Sequence, residues 1–293
     1  MTALQHKIDF ALIFSVDHAN PNGDPLDGNR PRITYEGLGE ISDVCLKRKI
    51  RDRLQEGGHA IFVQSDDRKT DEFPTLKARA EAFLGQDLYD PKKKTETVKK
   101  ACGKWFDVRA FGQLFAFNKK GKGKKNEEDD ANTDKSGDGV STPIRGPLTI
   151  QSAFSVEPVS VSSIQIVKSV SSDEKEGKEG KKSSDTMGMK HRVDKGIYVT
   201  YGSINPQLAE RTGFSDDDAD VIKAILPKLF ENDASSARPE GSMAVLNVFW
   251  WTHTCKSGQY SSAKVHGTLH VNPDGTYVVR NLDGLEPEII GGF

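Results

Sequence analysis

The chain has 293 residues, of which 41 are basic and 43 acidic, so its formal net charge at pH 7 is -2. This near-neutral total excludes a protein whose whole surface attracts phosphate, and it leaves only local patches for nucleic-acid binding. No stretch approaches the ~18 apolar residues of a membrane span, no leader peptide is recognisable, and the three cysteines show no CxxC spacing. We therefore expect a cytoplasmic protein with reduced thiols and no membrane association.

The first predicted element is a strand at residues 7–17, KIDFALIFSVD, where apolar side chains recur at every second position. It is followed by NPNGDPLDGNRPR at residues 20–32. Proline and glycine break helices and strands, and Asn and Asp bond their own backbone, so this stretch predicts a rigid polar loop. Arg30 and Arg32 end the loop, which is either a long connection or a surface that holds a ligand.

The sequence ISDVCLKRKIRDRL predicts a helix at residues 41–54. Ser42 is a candidate N-cap, and Leu46, Ile50 and Leu54 recur at a spacing of four to form an apolar stripe. The basic residues near this stripe are Lys47, Arg48, Lys49, Arg51 and Arg53. A helix N-terminus offers free backbone N–H groups, so this helix and the preceding arginine loop together favour a phosphate site over a merely solvated face.

The middle of the chain alternates apolar and very polar stretches. Residues 60–64, AIFVQ, predict a short strand, and residues 73–105 predict helices. Residues 118–139 consist mostly of Lys, Glu, Asp, Gly and Asn. Because they cannot bury enough apolar surface to offset their ordering entropy, we predict a mobile loop there.

A long hairpin is predicted next. Residues 144–170 contain two β-segments, and residues 192–204 contain a strand that can return along them. The charged stretch 171–185 between them has the composition of a mobile tip.

The last third of the chain begins with a predicted helix at residues 215–231. Ser215 and Asp218 form a capping box, and Pro227 is expected to kink the helix. Three predicted strands follow, at 244–251, 263–271 and 276–282, and an NPDG turn joins the last two. Two strands for each helix favour an α+β fold with a split βαβ, ferredoxin-like core and large insertions.

The loop and the first helix carry a family resemblance. NPNGDPLDGNRPRI followed by GEISDVCLKRKIRD resembles the CRISPR-associated backbone subunits of the Cas7 family, most closely their type I-C (Csd-two) branch. FDVRAFGQLF at 106–115 and IRGPLTIQSAFSVEPV at 144–159 resemble two further family segments. The resemblance implies a single domain over residues 1–293: a modified RRM-type palm with a helical insertion at about 60–105 and a β-hairpin thumb at about 155–200.

The same resemblance implies the function. Several copies would polymerise along one CRISPR RNA, join other Cascade subunits in a ribonucleoprotein, and support pairing with target DNA in antiviral defence. The implied RNA-binding residues are Asn20, Asn22, Arg30, Arg32, Ser42, Lys47, Arg48, Lys49, Arg51, Arg109, Arg145, Lys190, His191 and Arg192, and the candidates for a wedge between bases are Met187 and Met189. Such side chains suit a guide held through phosphates and 2′-hydroxyls, because any spacer sequence must be accommodated.

No catalytic residue, metal or cofactor is expected, but alternatives remain open. Asp24 and Asp27 lie in the arginine loop and could serve a metal-dependent ribonuclease, although Asp is also a common turn former. A zinc site would have to come from His253, Cys255, His266 and His270, whose spacing matches no finger or ribbon. A scaffold protein without nucleic acid is the third alternative.

Overall fold

The computed structural model describes residues 2–117, 140–167 and 187–293. The two stretches predicted to be mobile, 118–139 and 171–185, lie outside these residues. The described chain is a mixed α/β protein with a large antiparallel sheet, which confirms the predicted combination of helices and strands. None of its described helices is long and apolar enough to cross a membrane.

The elements are numbered in chain order. The helices are α1 Asp43–Glu56, α2 Leu76–Leu84, α3 Lys94–Lys104, α4 Phe106–Phe111, α5 Pro206–Thr212, α6 Asp216–Ile225 and α7 Ser262–His266. The strands are β1 Ile8–Ala19, β2 Gly23–Asp24, β3 Arg30–Pro31, β4 Leu38–Ile41, β5 Gly112–Phe117, β6 Val140–Arg145, β7 Leu148–Ile150, β8 Ala153–Pro158, β9 Val161–Val167, β10 Met187–Ile204, β11 Met243–Thr252, β12 Leu269–Val271, β13 Tyr277–Val279 and β14 Glu288–Gly291.

The main sheet has eight strands, in the order β14-β11-β1-β10-β8-β4, and β7 and β9 also pair with β10. β1 is central, and its register with β10 runs from Ile8 opposite Ile204 to Ala19 opposite Val193. The strand predicted at 7–17 is therefore confirmed and extends by two residues. Because β1 ends beside β10, the loop at 20–32 leaves the middle of the sheet rather than its edge.

Helix α1 packs on this sheet through the predicted apolar stripe. Leu46, Ile50 and Leu54 are fully buried in the same core as Phe10 and Leu12 of β1. The predicted helix and its stripe are therefore confirmed, because a spacing of four places the three side chains on one face.

The segment after α1 differs from its prediction. Residues 60–64 form no strand, because the carboxylate of Asp107 in α4 accepts hydrogen bonds from the N–H groups of Phe62 and Val63 at 2.7 and 3.0 Å. The Phe62 ring packs on Trp105, with ring centroids 4.8 Å apart. Side chains from α2, α3, α4 and the β5–β6 hairpin complete a second apolar core around these rings.

Strand β10 is long enough to belong to two structures. Its first residues, 187–193, pair with β9 as a two-stranded ribbon, with Val167 opposite Met187 and Val161 opposite Val193. Its remaining residues pair with β1 in the main sheet. The ribbon is continuous with the sheet, and the return strand predicted at 192–204 begins five residues earlier than expected.

The end of the chain contains two corrections. Helix α6 starts with the predicted Ser215–Asp218 capping box but ends at Ile225, because Pro227 lies in a 3₁₀ turn. The strand predicted at 263–271 is instead helix α7 followed by the short β12, since the Ser261 side chain accepts a hydrogen bond from the backbone of Lys264 and caps a helical turn. The strand predicted at 244–251 and the NPDG hairpin are confirmed.

Candidate nucleic-acid interface

The arginine loop at 20–32 is a folded miniature hairpin. Gly23 pairs with Pro31 and Asp24 with Arg30, and the Asp24 carboxylate accepts a hydrogen bond from the Leu26 N–H at 3.0 Å. Near its tip, Asn29 has a φ of 61°, a left-handed conformation that Asn tolerates better than most residues. The hairpin therefore fixes the backbone positions of the loop arginines, and the rigid loop that the composition predicted is present.

Two asparagines anchor this hairpin to its surroundings. Asn22 Oδ1 accepts hydrogen bonds from both the backbone N–H and the hydroxyl of Ser42, each at 2.9 Å. Asn20 is buried, and its amide donates to the carbonyl of Asn29 at 2.7 Å while its backbone N–H donates to Ala237. Both asparagines were predicted to contact RNA; in the structure they hold the loop in place.

The N-terminus of α1 lies directly against this loop. Ser42 caps the helix, and its hydroxyl oxygen accepts from the Cys45 N–H at 3.3 Å. The Cys45 thiol donates to the carbonyl of Pro21 at 3.7 Å, and burial raises the pKa of this thiol. The loop and the helix therefore form one rigid unit, which brings the loop arginines and the first turns of α1 into one region.

The cations that remain available to solvent in this region lie on both elements. Arg30 is exposed, and the Arg48 side chain keeps 52 % of its surface while lying 3.7 Å from Asp52 and from Asp67. Lys47 is less free, since it donates to Asp43 at 2.8 Å. The Arg32 guanidinium is 3.4 Å from the Asp24 carboxylate. Of these four cations of the predicted site, two lie on the loop and two on the first two turns of α1.

Lys49 was predicted to bind RNA, but it lies on the flank of α1 opposite Lys47 and is buried there. Its side chain is only 3 % exposed, its ammonium group contacts the Asp233 carboxylate, and that group lies 5.5 Å from the centre of the Phe230 ring. Arg53, on the same flank, is also buried and is paired with Glu56 at 2.7 Å. This flank packs on the chain itself rather than on a ligand, because two carboxylates neutralise its charges.

Arg51 and Arg109 also bind carboxylates of their own chain. Arg51 lies 3.1 Å from buried Asp107 and 5.0 Å from the Phe111 ring centre. Arg109 donates two hydrogen bonds of 2.8 Å to Asp218 and so joins α4 to the start of α6. Both were predicted as RNA ligands, Arg51 from the charge of α1 and the family resemblance, and Arg109 from the resemblance alone; in the structure each bridges two helices.

The segment at 231–242 was missed by sequence reasoning. Its Asp233 pairs with Lys49 and also with Arg238 at 3.0 Å, while Ala237 accepts from Asn20. Burial opposes ionisation of Asp233, but Lys49 and Arg238 outweigh it and lower the pKa of this carboxyl. Asp233 and Lys49 are 184 positions apart, so no local pattern in the sequence could have joined them.

The ribbon of β9 and β10 presents the remaining predicted contacts. Met187 and Met189 lie on one face and are 65 % and 54 % exposed, and His191 shares that face and contacts the Ser163 hydroxyl at 2.8 Å. Lys190 and Arg192 lie on the other face, because side chains alternate along a strand. Arg145 is exposed at the end of β6, opposite Gly112.

The residues considered for a ribonuclease or a zinc site make contacts within the chain or lie apart. Asp24 holds the loop through Leu26 and Arg32. His253 is buried, with its Nε2 atom 2.8 Å from the carboxylate of Asp9, and His266 lies in α7, so it shares no strand face with His270. Within the described ranges, no group of three or more His, Cys, Asp and Glu side chains is arranged to hold a metal ion.

Known proteins match this chain over most of its length. One solved structure that matches is a CRISPR RNA-guided surveillance complex, pre-nicking, with 15 % identity and a TM-score of 0.46; the match covers 84 % of this chain and 78 % of that chain. Another is a CRISPR RNA-guided surveillance complex with 17 % identity and a TM-score of 0.45; the match covers 92 % of this chain and 77 % of that chain. A CRISPR-associated protein Cas7 of Haloferax volcanii is 25 % identical over 291 residues, which cover 99 % of this chain and 82 % of that protein. The family profile described as CRISPR-associated protein Cas7 matches residues 6–288, and the chain therefore belongs to the Cas7 family.

Proposed function

We propose that this chain is a non-catalytic backbone subunit of a type I-C Cascade complex. It binds CRISPR RNA, polymerises along it beside other Cascade subunits, and supports pairing of the guide with target DNA. One observation carries this proposal beyond family membership: the arginine loop is hydrogen-bonded to the N-terminus of α1 through Asn22 and Ser42. That contact joins the loop that carries Arg30 to the helix that carries Arg48.

The chemistry of this region suits a nucleic-acid backbone. Guanidinium groups bind phosphate oxygens without reading sequence, and a guide-binding protein has to accept every spacer. Four cations are few for tight binding by one copy. Copies that share one RNA strand bind it together, however, so the affinity of the assembly exceeds that of each subunit by a large factor.

In this proposal the main sheet is an RRM-like palm, α2 and α3 belong to the helical insertion at about 60–105, and the β9–β10 ribbon is the base of a thumb at about 155–200. Met187 and Met189 are exposed on that ribbon and are apolar enough to wedge between bases. Lys190 and Arg192, on the opposite face, would then meet the RNA backbone.

Binding without cleavage is the simpler chemistry for the loop. Asp24 uses its carboxylate to fix the hairpin, through the Leu26 N–H at 3.0 Å and the Arg32 guanidinium at 3.4 Å. A carboxylate paired with a cation is a poorer metal ligand than a free one, because the metal has to displace that partner.

The experiment that tests the proposal is purification from the native host, followed by sequencing of the nucleic acid that co-purifies, with and without nuclease treatment. Protected short RNAs that carry CRISPR repeat and spacer sequence are the expected result. Pure protein that keeps its oligomeric state without RNA would contradict the proposal and favour the scaffold alternative. Shortening of added labelled RNA by wild-type protein with Mg²⁺, but not by the D24A variant, would favour the ribonuclease.

A further inference from the structure

Tyr35 is the most exposed large apolar side chain of the described residues. Its relative exposure is 108 %, and across the described ranges its ring makes no aromatic or cation–π contact. An aromatic ring that touches nothing gains no packing energy in the isolated chain. Exposed single apolar residues are common, so exposure alone assigns no role to this ring.

The backbone that carries Tyr35 is held firmly. Thr34 N–H donates to Leu38 at 2.7 Å, Gly37 N–H donates back to Thr34 at 3.0 Å, and the Thr34 hydroxyl oxygen accepts from the Leu38 N–H at 3.1 Å. Gly37 has a φ of 84°, which a residue with a side chain rarely adopts. This turn therefore fixes the backbone from which the ring projects, which lowers the backbone part of the entropy cost of binding to the ring.

The turn lies between the two parts of the proposed RNA site. At its base, the Arg32 carbonyl accepts a hydrogen bond from the Glu40 N–H at 2.9 Å, so the turn is continuous with the arginine loop. At its far side, the Gly37 carbonyl accepts from the Val159 N–H at 3.0 Å, two residues before the β9–β10 ribbon begins. An RNA strand that contacts both the arginine loop and the β9–β10 ribbon would therefore pass close to this turn.

The charge next to the ring indicates which part of a nucleotide would meet it. Glu36 follows Tyr35 directly and is exposed, so its carboxylate repels phosphate at this point. A base carries no charge and stacks on an aromatic face, whatever its identity. Arginines for the backbone and one aromatic ring for a base are the combination that single-stranded nucleic acid requires.

We propose that Tyr35 is a stacking platform for one unpaired base of the RNA in each subunit. This inference rests on the proposed function, because it needs RNA to lie along the arginine loop. It adds a base contact to a site that is otherwise built for the backbone. The contact is independent of sequence, since every base has an aromatic face.

The test uses the full chain and a set of single-stranded RNAs that carry one 2-aminopurine at successive positions. Stacking quenches the fluorescence of this base, so we expect stronger quenching by wild type than by the Y35A variant at regularly recurring positions. Y35A should weaken RNA binding about 5- to 150-fold, whereas Y35F, which keeps the ring, should bind like wild type. V278A removes another exposed apolar side chain, on β13, and is the control, expected to change neither readout.

The outcomes separate this inference from the proposed function. If wild type binds no RNA, the proposed function fails and the inference falls with it. If wild type binds RNA but Y35A binds and quenches equally well, only the inference is overturned.

Two further outcomes would also overturn stacking. Equal losses of RNA binding in Y35A and Y35F would assign the effect to the hydroxyl group. Loss of subunit association without a change in quenching would assign the ring to a protein contact. Because the ring is fully exposed, the melting temperature of Y35A should match that of wild type and exclude misfolding.

Discussion

Asn22 and Ser42 are joined by two hydrogen bonds of 2.9 Å that share a single acceptor, Asn22 Oδ1. One donor is the Ser42 hydroxyl, whose oxygen in turn caps α1 by accepting from Cys45. A loop residue and a helix N-cap are thus members of one short hydrogen-bond chain. A displacement of the loop by about 1 Å would lengthen both hydrogen bonds beyond the usual range, so the loop conformation and the helix start depend on each other.

The N22A variant should lose both hydrogen bonds at once. Each contributes about 0.5–1.5 kcal/mol net, so we expect a loss of about 1–3 kcal/mol in the free energy of unfolding, measured by urea denaturation. The N272A variant is the control: its amide donates to the Thr276 hydroxyl at an exposed turn, where loss should cost less than about 0.5 kcal/mol. Equal stability of N22A and wild type would show that the contact between loop and helix is not stabilising.

The N22D variant should separate the structural role from RNA binding. A carboxylate accepts both Ser42 hydrogen bonds, and its negative charge is favoured near the N-terminus of α1, so stability should stay near that of wild type. The same charge repels phosphate beside the arginine loop. We therefore expect weaker RNA binding that recovers partly at high salt, when measured by fluorescence anisotropy. Unchanged RNA affinity in N22D would place the RNA away from this loop.

The R30A/R48A variant should weaken RNA binding equally for all sequences. Both side chains retain solvent exposure, and neither caps a helix or anchors the loop. Removing an arginine that binds a phosphate should reduce the slope of log affinity against log salt by up to ~0.7 for a single strand. The control is R211A/R280A, which removes two exposed arginines from α5 and from the chain after β13. Equal salt slopes in the two variants would refute this location of the backbone contacts.

Sequence reasoning succeeded for most elements whose information is local, although it missed the local cap at Ser261 that starts α7. The spacing of Leu46, Ile50 and Leu54 predicted the buried stripe of α1, and alternation predicted β1. It failed where a distant partner decided the structure. Asp107 takes the backbone N–H groups that the apolar run at 60–64 would have offered to a neighbouring strand.

The candidate site shows the same division. Composition predicted a rigid arginine loop and an N-cap at Ser42, and both are present. Charge alone could not separate the exposed Arg48 from the buried Lys49, because the difference lies in Asp233, which is distant in sequence. Tyr35 was not singled out either, since a lone aromatic in a polar segment is exposed only if no other segment covers it.

The D107A variant should be among the most destabilising single changes in the helical region. Asp107 is 1 % exposed, accepts from the N–H groups of Phe62 and Val63, and pairs with Arg51 at 3.1 Å. Removal leaves one buried donor, one partly buried donor and a cation without their partner, so we expect a loss of about 3–5 kcal/mol in chemical denaturation. D107N keeps one acceptor oxygen and should lose less. A loss below about 1 kcal/mol in D107A would show that this carboxylate does not fix the segment after α1.

The D233N variant should lose stability in a manner that depends on pH. Lys49 is nearly fully buried and burial lowers its pKa, so without the carboxylate either its charge stays buried and unpaired or it must give up its proton; at about pH 7 we expect a loss of about 3–5 kcal/mol relative to wild type. The pKa of Asp233 in the folded protein lies below its ordinary value of 3.8 because the charges of Lys49 and Arg238 outweigh burial. Between these two pKa values the unfolded chain binds more protons than the folded one, so the contribution of Asp233 is complete above the unfolded pKa and disappears as the pH falls through the folded pKa.

Urea denaturation at several pH values should therefore show a difference in the free energy of unfolding between wild type and D233N that narrows in acid. K49M/D233L removes both charges and should recover most of the stability. A difference that stays constant in acid, or a double variant as unstable as D233N, would mean that the ion pair does not hold residues 231–242 against α1.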